Sequence, residues 1–249
     1  MSHEIPYRNI ARYYDRYFSY VDYAAYGRYL FRLLAKHGAD PKQILELGAG
    51  TCPLARDRIF PHGIKVVYSD LSPAMLSQAP ADPPISRVAA DAMALPFKGP
   101  FDLCLMVYDG INYLLEKELV LRCLAEAFRV LAPGCLFLFD VVTAATARNY
   151  EYLLVDYTET EGVDIIRQSG LDRETSIQCN TFTFFIEGPE GYWRKVQERH
   201  EQRVYALATW RTMARQAGFT VEAIYTEMSF EPGSKSSLGL QFVLRKPVG

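Results

Sequence analysis

The stretch ILELGAGTC at residues 44–52 decides the fold. An apolar run broken only by Glu46 predicts a buried strand, and Gly48 and Gly50 follow directly. Glycine allows a tight turn and a close approach to a ligand, which a side chain would block. A helix after such a turn presents free N–H groups. The stretch therefore predicts a strand, a glycine turn and a helix, as in parallel sheets that bind nucleotide-like ligands.

Apolar runs alternate with helical patterns on both sides of this stretch. Further strands are predicted in KVVYSD (65–70), SRVAAD (86–91), FDLCLMVYD (101–109), CLFLFDVV (135–142), FTVEAIYTEMSF (219–230) and LGLQFVLRK (238–246). Strands that alternate with helices are typical of parallel sheets with right-handed crossovers, and continuous apolar runs indicate strands covered on both faces. We expect an α/β fold with a doubly wound, mostly parallel seven-stranded sheet.

Two flanking regions depart from this rhythm. Tyr7–Tyr20 and Asp22–His37 carry helical patterns, whereas segments such as TSIQCNTFTFFIEG alternate with period two and have turn signals at Glu161-Gly162 and at residues 188–191. Period two predicts antiparallel strands inserted before the last helix, which we expect from Thr209 to Ala217. The predicted regions are an N-terminal helical lid (1–40), an α/β domain (41–149 and 207–249) and an antiparallel substrate-side insertion (150–206).

Composition excludes several classes of partner. The formal net charge of the 249 residues is -2, and Lys and Arg are scattered, so neither nucleic acid nor an anionic membrane is favoured. The five cysteines show no CxxC or zinc spacing, so we expect a reduced, cytoplasmic protein without a metal. No run of 18 apolar residues and no secretory leader is visible. A small-molecule partner and a monomer or homodimer are expected.

Three carboxylates mark the predicted carboxyl ends of the first three strands. Asp70 closes the second strand 20 residues after Gly50, where a carboxylate accepts both hydroxyls of a ribose. Asp91 follows the third strand, where an acceptor could bind the exocyclic amine of adenine; taken alone, Asp91 is better explained as a turn residue. Glu46 needs a cationic or hydrogen-bonding partner. Because these strand ends share one edge, they predict one nucleoside-like ligand.

The motifs ELGAGT, YSDLSPAML, AADAMALPF, FDLCLMVYDGINYLL and RVLAPGCLFLFDV resemble the successive motifs of class I methyltransferases that depend on S-adenosylmethionine (SAM). The flanks resemble those of bacterial small-molecule methyltransferases, including enzymes that N-methylate amino sugars. The resemblance implies a Rossmann-like methyltransferase fold, SAM as cofactor and S-adenosylhomocysteine as product. One departure is Cys52, which stands where the family's ExGxGxG loop has its third glycine.

The resemblance also implies a set of cofactor-binding residues. Glu46, Gly48, Ala49 and Gly50 would surround the methionyl part of SAM, and Asp70 would bind its ribose. The other implied positions are Leu71 and Met75 near the adenine, Asp91, Ala92 and Met93 at its edge, Tyr14 and Tyr23 as aromatic covers, and Tyr108 at the end of the fourth strand. For any single tyrosine in the two N-terminal helical patterns, packing between helices is an equally good explanation.

Substrate-side candidates come from the end of the fourth strand and from the insertion. Asp109 and His200 are the candidate catalytic bases, and Asn112 and Tyr113 join them as candidate substrate contacts. Because a sulfonium methyl is already activated, alignment alone can supply about 7 to 11 kcal/mol, and a base matters mainly for an amine acceptor. The aromatic-rich insertion would suit an apolar or ring-containing substrate.

Several functions remain open from the sequence. The leading hypothesis is an enzyme that transfers the methyl group of SAM to a nitrogen or oxygen of a small molecule by in-line displacement. The alternatives are an RNA methyltransferase, a non-catalytic SAM-binding protein, and a nucleotide-dependent oxidoreductase. Pro53 occupies the position of the third dinucleotide-binding glycine, which weakens the oxidoreductase hypothesis.

Overall fold

The computed structural model describes residues 6–81, 85–148, 154–160 and 162–248. The helices are α1 (Ala11–Tyr17), α2 (Tyr23–Lys36), α3 (Pro53–Arg56), α4 (Pro73–Leu76), α5 (Lys117–Val130), α6 (Ala144–Arg148) and α7 (Leu207–Gln216). The strands are β1 (Gln43–Leu47), β2 (Lys65–Asp70), β3 (Ser86–Ala89), β4 (Phe101–Met106), β5 (Leu131–Val142), β6 (Leu154–Thr160), β7 (Val163–Asp172), β8 (Ile177–Glu187), β9 (Trp193–Arg203), β10 (Thr220–Thr226) and β11 (Gly239–Arg245).

Seven of these strands form the central sheet, in the order β10-β11-β5-β4-β1-β2-β3. Strands β1 to β5 pair in parallel, and β11 runs antiparallel to both β5 and β10. The carboxyl ends of β1, β2, β3 and β4 therefore meet at one edge, which is where doubly wound sheets bind ligands. The prediction of a mostly parallel seven-stranded sheet is confirmed.

Both faces of this sheet are covered, which explains the continuous apolar runs. On one face Leu45 and Phe139 pack with α5 and with Trp210 of α7, whose ring centre lies 5.7 Å from that of Phe139. On the other face Ile44 and Leu105 pack against α2. Successive residues of a strand point to opposite faces, so a strand buried on both sides must be apolar throughout.

The insertion is a second, antiparallel sheet in the order β6-β7-β8-β9. Its apolar end packs on α1, where Phe184 stacks on Tyr13 at 5.7 Å between ring centres and Phe182 meets Tyr17 edge-on at 5.6 Å. Its polar end carries buried His200 and Gln202. The predicted antiparallel insertion is confirmed, and the division of the chain into three domains stays a prediction.

Helix boundaries differ from the sequence expectation at both ends of the chain. Helix α1 begins at Ala11 rather than near Tyr7, because Tyr7 has a φ of 63°, which an α-helix does not accommodate. Helix α7 begins at Leu207, two residues before the predicted start. Of the predicted turn at Glu161-Gly162, Glu161 lies outside the described residues. Among the described helices, none is long and apolar enough to cross a membrane.

Candidate functional site

A cavity opens at the carboxyl ends of β1 to β4, beneath α1 and the start of α2. The structure brings every cofactor-binding residue that the resemblance implied into the lining of this one cavity: Tyr14, Tyr23, Glu46, Gly48, Ala49, Gly50, Asp70, Leu71, Met75, Asp91, Ala92, Met93 and Tyr108. Met75 is buried, whereas Leu71 is 48% exposed at the rim. Their assignment to parts of a cofactor is a proposal.

The glycine turn is required by backbone conformation. Gly48 and Gly50 have φ angles of 63° and 57°, in the left-handed region that favours glycine. A Cβ on Gly48 would meet only the terminal methyl of Met106, at 3.9 Å, and one on Gly50 the terminal methyl of Met75, at 3.3 Å. The distance at Gly48 is an ordinary van der Waals contact, whereas the one at Gly50 is tight and would require the flexible Met75 side chain to move. The φ angles, rather than the space around the turn, therefore decide the residue type.

Cys52 adopts the left-handed backbone conformation that glycine favours. Its φ and ψ are 56° and 53°, its side chain is fully buried, and Sγ packs in a small cluster with Ala49, Ala55 and Tyr68. A non-glycine residue in the left-handed region costs about 1–2 kcal/mol. Packing of the thiol offsets this strain, so the departure from the family's pattern leaves the turn intact.

We expect Cys52→Gly to change the free energy of unfolding by less than about 1 kcal/mol, because relief of strain is offset by lost apolar burial and greater unfolded-state entropy. Affinity for SAM should stay within about threefold. The control Cys52→Val places a β-branched residue at positive φ and should destabilise the fold by about 2 kcal/mol or more. Urea unfolding and calorimetry measure both; loss of SAM binding in Cys52→Gly would contradict the account.

Asp70 organises the edge of the cavity. One carboxylate oxygen accepts the Gly50 amide at 2.8 Å and the other accepts the Ser72 amide at 2.7 Å. Burial raises the pKa of Asp70, and these two bonds oppose that rise. Each carboxylate oxygen has a second lone pair, so Asp70 can accept two further hydrogen bonds from a ligand. Asp91 accepts the Met93 amide at 2.8 Å, which orders the turn after β3.

Glu46 is a buried carboxyl group without a cationic partner among the described residues. Its side chain is 2% exposed, and one of its oxygens has no hydrogen-bond partner. Burial, with a smaller contribution from Asp70, raises the pKa of Glu46 to about 8. A buried carboxylate is costly unless a charge or hydrogen bond compensates for it. Glu46 is therefore suited to a ligand that carries positive charge.

Asp15 ties α1 to the glycine turn. It accepts the Thr51 hydroxyl at 2.7 Å and pairs with Arg56, with 2.7 Å between nitrogen and oxygen. The Arg56 guanidinium in turn lies 5.5 Å from the ring centre of Tyr23. These contacts, which we name the Asp15 latch, hold the N-terminal helices over the cavity.

The turn after β4 is held in a strained conformation. Tyr108 and Asp109 have φ angles of 58° and 51°, and Asp140 accepts the Asp109 amide at 3.0 Å. Gln202 of the insertion donates to the Asp109 carboxylate. Burial raises the pKa of Asp109 to about 7. Two adjacent non-glycine residues at positive φ are the kind of backbone strain that clusters at functional sites.

The four substrate-side candidates are placed differently by the structure. Tyr113 lines the cavity, whereas Asp109, Asn112 and His200 lie behind the lining. The Asn112 amide donates to the Arg203 carbonyl at 2.7 Å and accepts the Val142 amide at 3.2 Å, so it holds three elements together. His200 is buried and bonds to the hydroxyl of Tyr113.

Sequence reasoning missed Tyr7, and it did not establish what the aromatic residues of the insertion contact. Tyr7 lines the cavity beside Tyr113, and no local pattern distinguished it from the other N-terminal tyrosines. In the insertion, Phe182 packs against α1, and Tyr192 is 73% exposed. The aromatic residues of the insertion are absent from the lining of the described cavity, and the expectation of an apolar or ring-containing substrate stays a prediction.

Comparisons with known proteins agree with this geometry. Residues 44–134 match the family described as Methyltransferase domain. A protein of Geobacillus sp. (strain WCH70) with the word methyltransferase in its curated name is 28% identical over 97% of this chain and 100% of its own. A SAM-dependent methyltransferase from Clostridium acetobutylicum has a TM-score of 0.79 at 17% identity, covering 97% of this chain and 99% of that chain.

A third similar protein is the sugar N-methyltransferase KedS8 from Streptoalloteichus, with a TM-score of 0.76, 18% identity and coverage of 93% of this chain and 92% of that one. The matched domain, the curated relative and the fold support a class I SAM-dependent methyltransferase with SAM as its cofactor. The similarity to the Geobacillus protein spans the N-terminal helices and the insertion as well as the matched domain.

Proposed function

We propose that the protein transfers the methyl group of SAM to a nitrogen or oxygen atom of a small molecule. The observation that carries the proposal is Glu46, a buried carboxyl group with one oxygen that has no hydrogen-bond partner among the described residues, in a cavity that Asp70 and the glycine turn also line. SAM combines a sulfonium and an ammonium charge with a ribose. Glu46 complements the positive charge, and Asp70 retains the lone pairs that ribose hydroxyls need.

With Glu46 at the positive charge of SAM and Asp70 at its ribose, the other cavity residues can be assigned to the remaining parts of the cofactor. Asp91, Ala92 and Met93 would contact the adenine edge, Leu71 and Met75 its faces, and Gly48, Ala49 and Gly50 the methionyl part. Tyr14, Tyr23 and Tyr108 would cover the cofactor from α1, α2 and the turn after β4. We assign the cytoplasm as the compartment, from the reduced cysteines.

The substrate would lie in the part of the cavity that Tyr7 and Tyr113 line, next to the polar end of the insertion. Ser169, Asn180 and Gln202 are buried there in a hydrogen-bonded row that reaches Asp109. A buried polar surface favours an acceptor with hydrogen-bonding groups. The likeness to a sugar N-methyltransferase supports a small, polar acceptor with a nitrogen.

When bound, SAM supplies an activated methyl group on a sulfonium. The residues of this chain then have three tasks, which are to align the acceptor with that methyl, to exclude water and to accept a proton from the acceptor. Alignment is assigned to Tyr113, Asn112 and the strained turn at Asp109, and water exclusion to the helices held by the Asp15 latch. Asp109 and His200 are the candidate bases that would accept the proton from the methyl acceptor.

The test has two stages. Calorimetry should show binding of SAM and S-adenosylhomocysteine and no binding of NADH. SAM with a deuterated methyl, incubated with separate panels of amines, hydroxylated small molecules and short RNAs, should then label an amine or hydroxyl compound, as read by mass spectrometry. Labelling of RNA alone would favour the RNA methyltransferase, and SAM binding with no labelled product in any panel would favour a non-catalytic protein.

A further inference from the structure

A chain of hydrogen-bonding groups runs from the cavity to a buried carboxylate. The Tyr7 and Tyr113 hydroxyl oxygens are 2.6 Å apart, and the Tyr113 oxygen is 3.0 Å from Nδ1 of His200. Nε2 of His200 makes no hydrogen bond with the described residues, but it lies 3.5 Å from Oε1 of Glu198, within range of an electrostatic contact. Both tyrosines line the cavity, whereas His200 and Glu198 are 2% and 8% exposed. The chain therefore connects the cavity to an interior that water does not reach.

Glu198 determines which group donates and which accepts in this series of hydrogen bonds. Its second oxygen accepts the Asn9 amide at 3.1 Å, which fixes the carboxylate beside the imidazole. A carboxylate next to Nε2 favours the tautomer with the hydrogen on Nε2, because a nitrogen lone pair there would be repelled. Nδ1 then accepts from the Tyr113 hydroxyl, and Tyr113 in turn accepts from Tyr7. The Tyr7 oxygen is left with free lone pairs at the cavity.

Asp109, the other candidate base, is less well placed for direct contact. It does not line the cavity, and Gln202 already donates to its carboxylate. His200 also lies behind the lining, but two tyrosine hydroxyls connect it to the cavity. A general base must lie within hydrogen-bond reach of the proton that it accepts or reach it through a bridging water, and here two tyrosine hydroxyls take the place of that bridge. The hydrogen-bond chain gives His200 that reach.

We propose that Tyr7, Tyr113 and His200 form a proton relay for methyl transfer, with Glu198 as its positioning residue, and this rests on the proposed function. The acceptor's N–H or O–H proton passes to the Tyr7 oxygen, the Tyr7 proton to Tyr113, and the Tyr113 proton to Nδ1 of His200. The acceptor's electron pair forms the new bond to the methyl carbon, and the electrons of the broken C–S bond stay on sulfur. Glu198 stabilises the resulting imidazolium.

The first test is the tautomer of His200 in the protein saturated with S-adenosylhomocysteine. Nitrogen-15 NMR of the histidine side chains, assigned with His200→Gln, should show a neutral ring with hydrogen on Nε2 and a bare Nδ1. Tyr113→Phe should move the Nδ1 signal, whereas Tyr192→Phe, on an exposed tyrosine, should not. A hydrogen on Nδ1 of a neutral ring, or a permanently charged ring near neutral pH, would overturn the relay.

The second test is turnover with the acceptor found in the labelling panels. Tyr7→Phe and His200→Gln should each lower kcat by about 100-fold or more, the usual contribution of general base catalysis. His200 does not line the cavity, so in His200→Gln the affinity for SAM should change by less than about threefold. A kcat that both variants retain would refute the relay, whereas failure of the wild type to bind SAM would instead refute the proposed function.

Discussion

Asp70→Ala is expected to weaken SAM binding by about 100-fold or more. The carboxylate would accept both ribose hydroxyls, and each hydrogen bond to a charged group contributes about 1.5–3 kcal/mol. Two bonds at the low end of this range give about 3 kcal/mol, which corresponds to roughly two orders of magnitude in Kd. The variant also loses the bonds that order Gly50 and Ser72. Calorimetric titration of SAM into both proteins measures the difference.

Asp102→Ala is the matched control for this prediction. Asp102 accepts the Lys42 and Gln43 amides at 2.9 and 2.8 Å, at the opposite, amino edge of the sheet. Asp102→Ala therefore removes as many hydrogen bonds to backbone amides as Asp70→Ala does, but it leaves the cavity lining unchanged. We expect it to lower the Tm while its affinity for SAM stays at the wild-type value. An equal loss of SAM affinity in the two variants would mean that Asp70 acts only through the fold.

Binding of SAM is expected to release a proton from Glu46. In the SAM-free protein, burial raises the pKa of Glu46 to about 8, so the group is mostly neutral at pH 6 to 7. The positive charge of SAM favours the carboxylate and lowers that pKa. The affinity for SAM should therefore rise with pH, by up to about tenfold per pH unit, and should level off above about pH 8. Calorimetry in buffers of different ionisation enthalpy counts the released protons.

Glu46→Gln separates this group from the other carboxyl groups of the cavity. The isosteric amide cannot ionise, so the variant should release fewer protons and should bind SAM about 10-fold or more weakly at pH 8. Without SAM, a pKa raised from 4.5 to about 8 stabilises the fold below about pH 4.5, and this contribution is lost as pH rises through 8. The Tm of the SAM-free variant should accordingly fall less with pH. Equal pH profiles for variant and wild type would contradict the assignment.

The central sheet was predictable because its signals are local. The apolar runs at β1 and β4 are continuous, since each strand is covered on both faces. The positions of Gly48, Gly50 and Asp70 follow from the strand ends, because parallel strands bring their carboxyl ends to one edge. The antiparallel insertion was equally visible as period two. These patterns need no knowledge of contacts between distant residues.

The substrate side was not predictable in the same way. Tyr7 reaches His200, which lies 193 positions later in the chain, only because α1 packs on the insertion. The Asp15 latch joins residues 36 positions apart through a side-chain contact that no spacing rule encodes. In the insertion the aromatic stripe was visible, but whether it covered a ligand or a helix depended on where α1 lies. Tertiary contacts decided these cases.

The Asp15 latch has a consequence for the catalytic cycle. It holds α1 against the glycine turn, and the segment just before α1 carries Tyr7. In the proposed enzyme, one outward movement of this segment would uncover the spent cofactor and would also break the path to His200. Exchange of S-adenosylhomocysteine and return of the stored proton to water would then be a single event. Each turnover would reset both halves of the site together, because the same N-terminal segment lines the cavity and carries Tyr7.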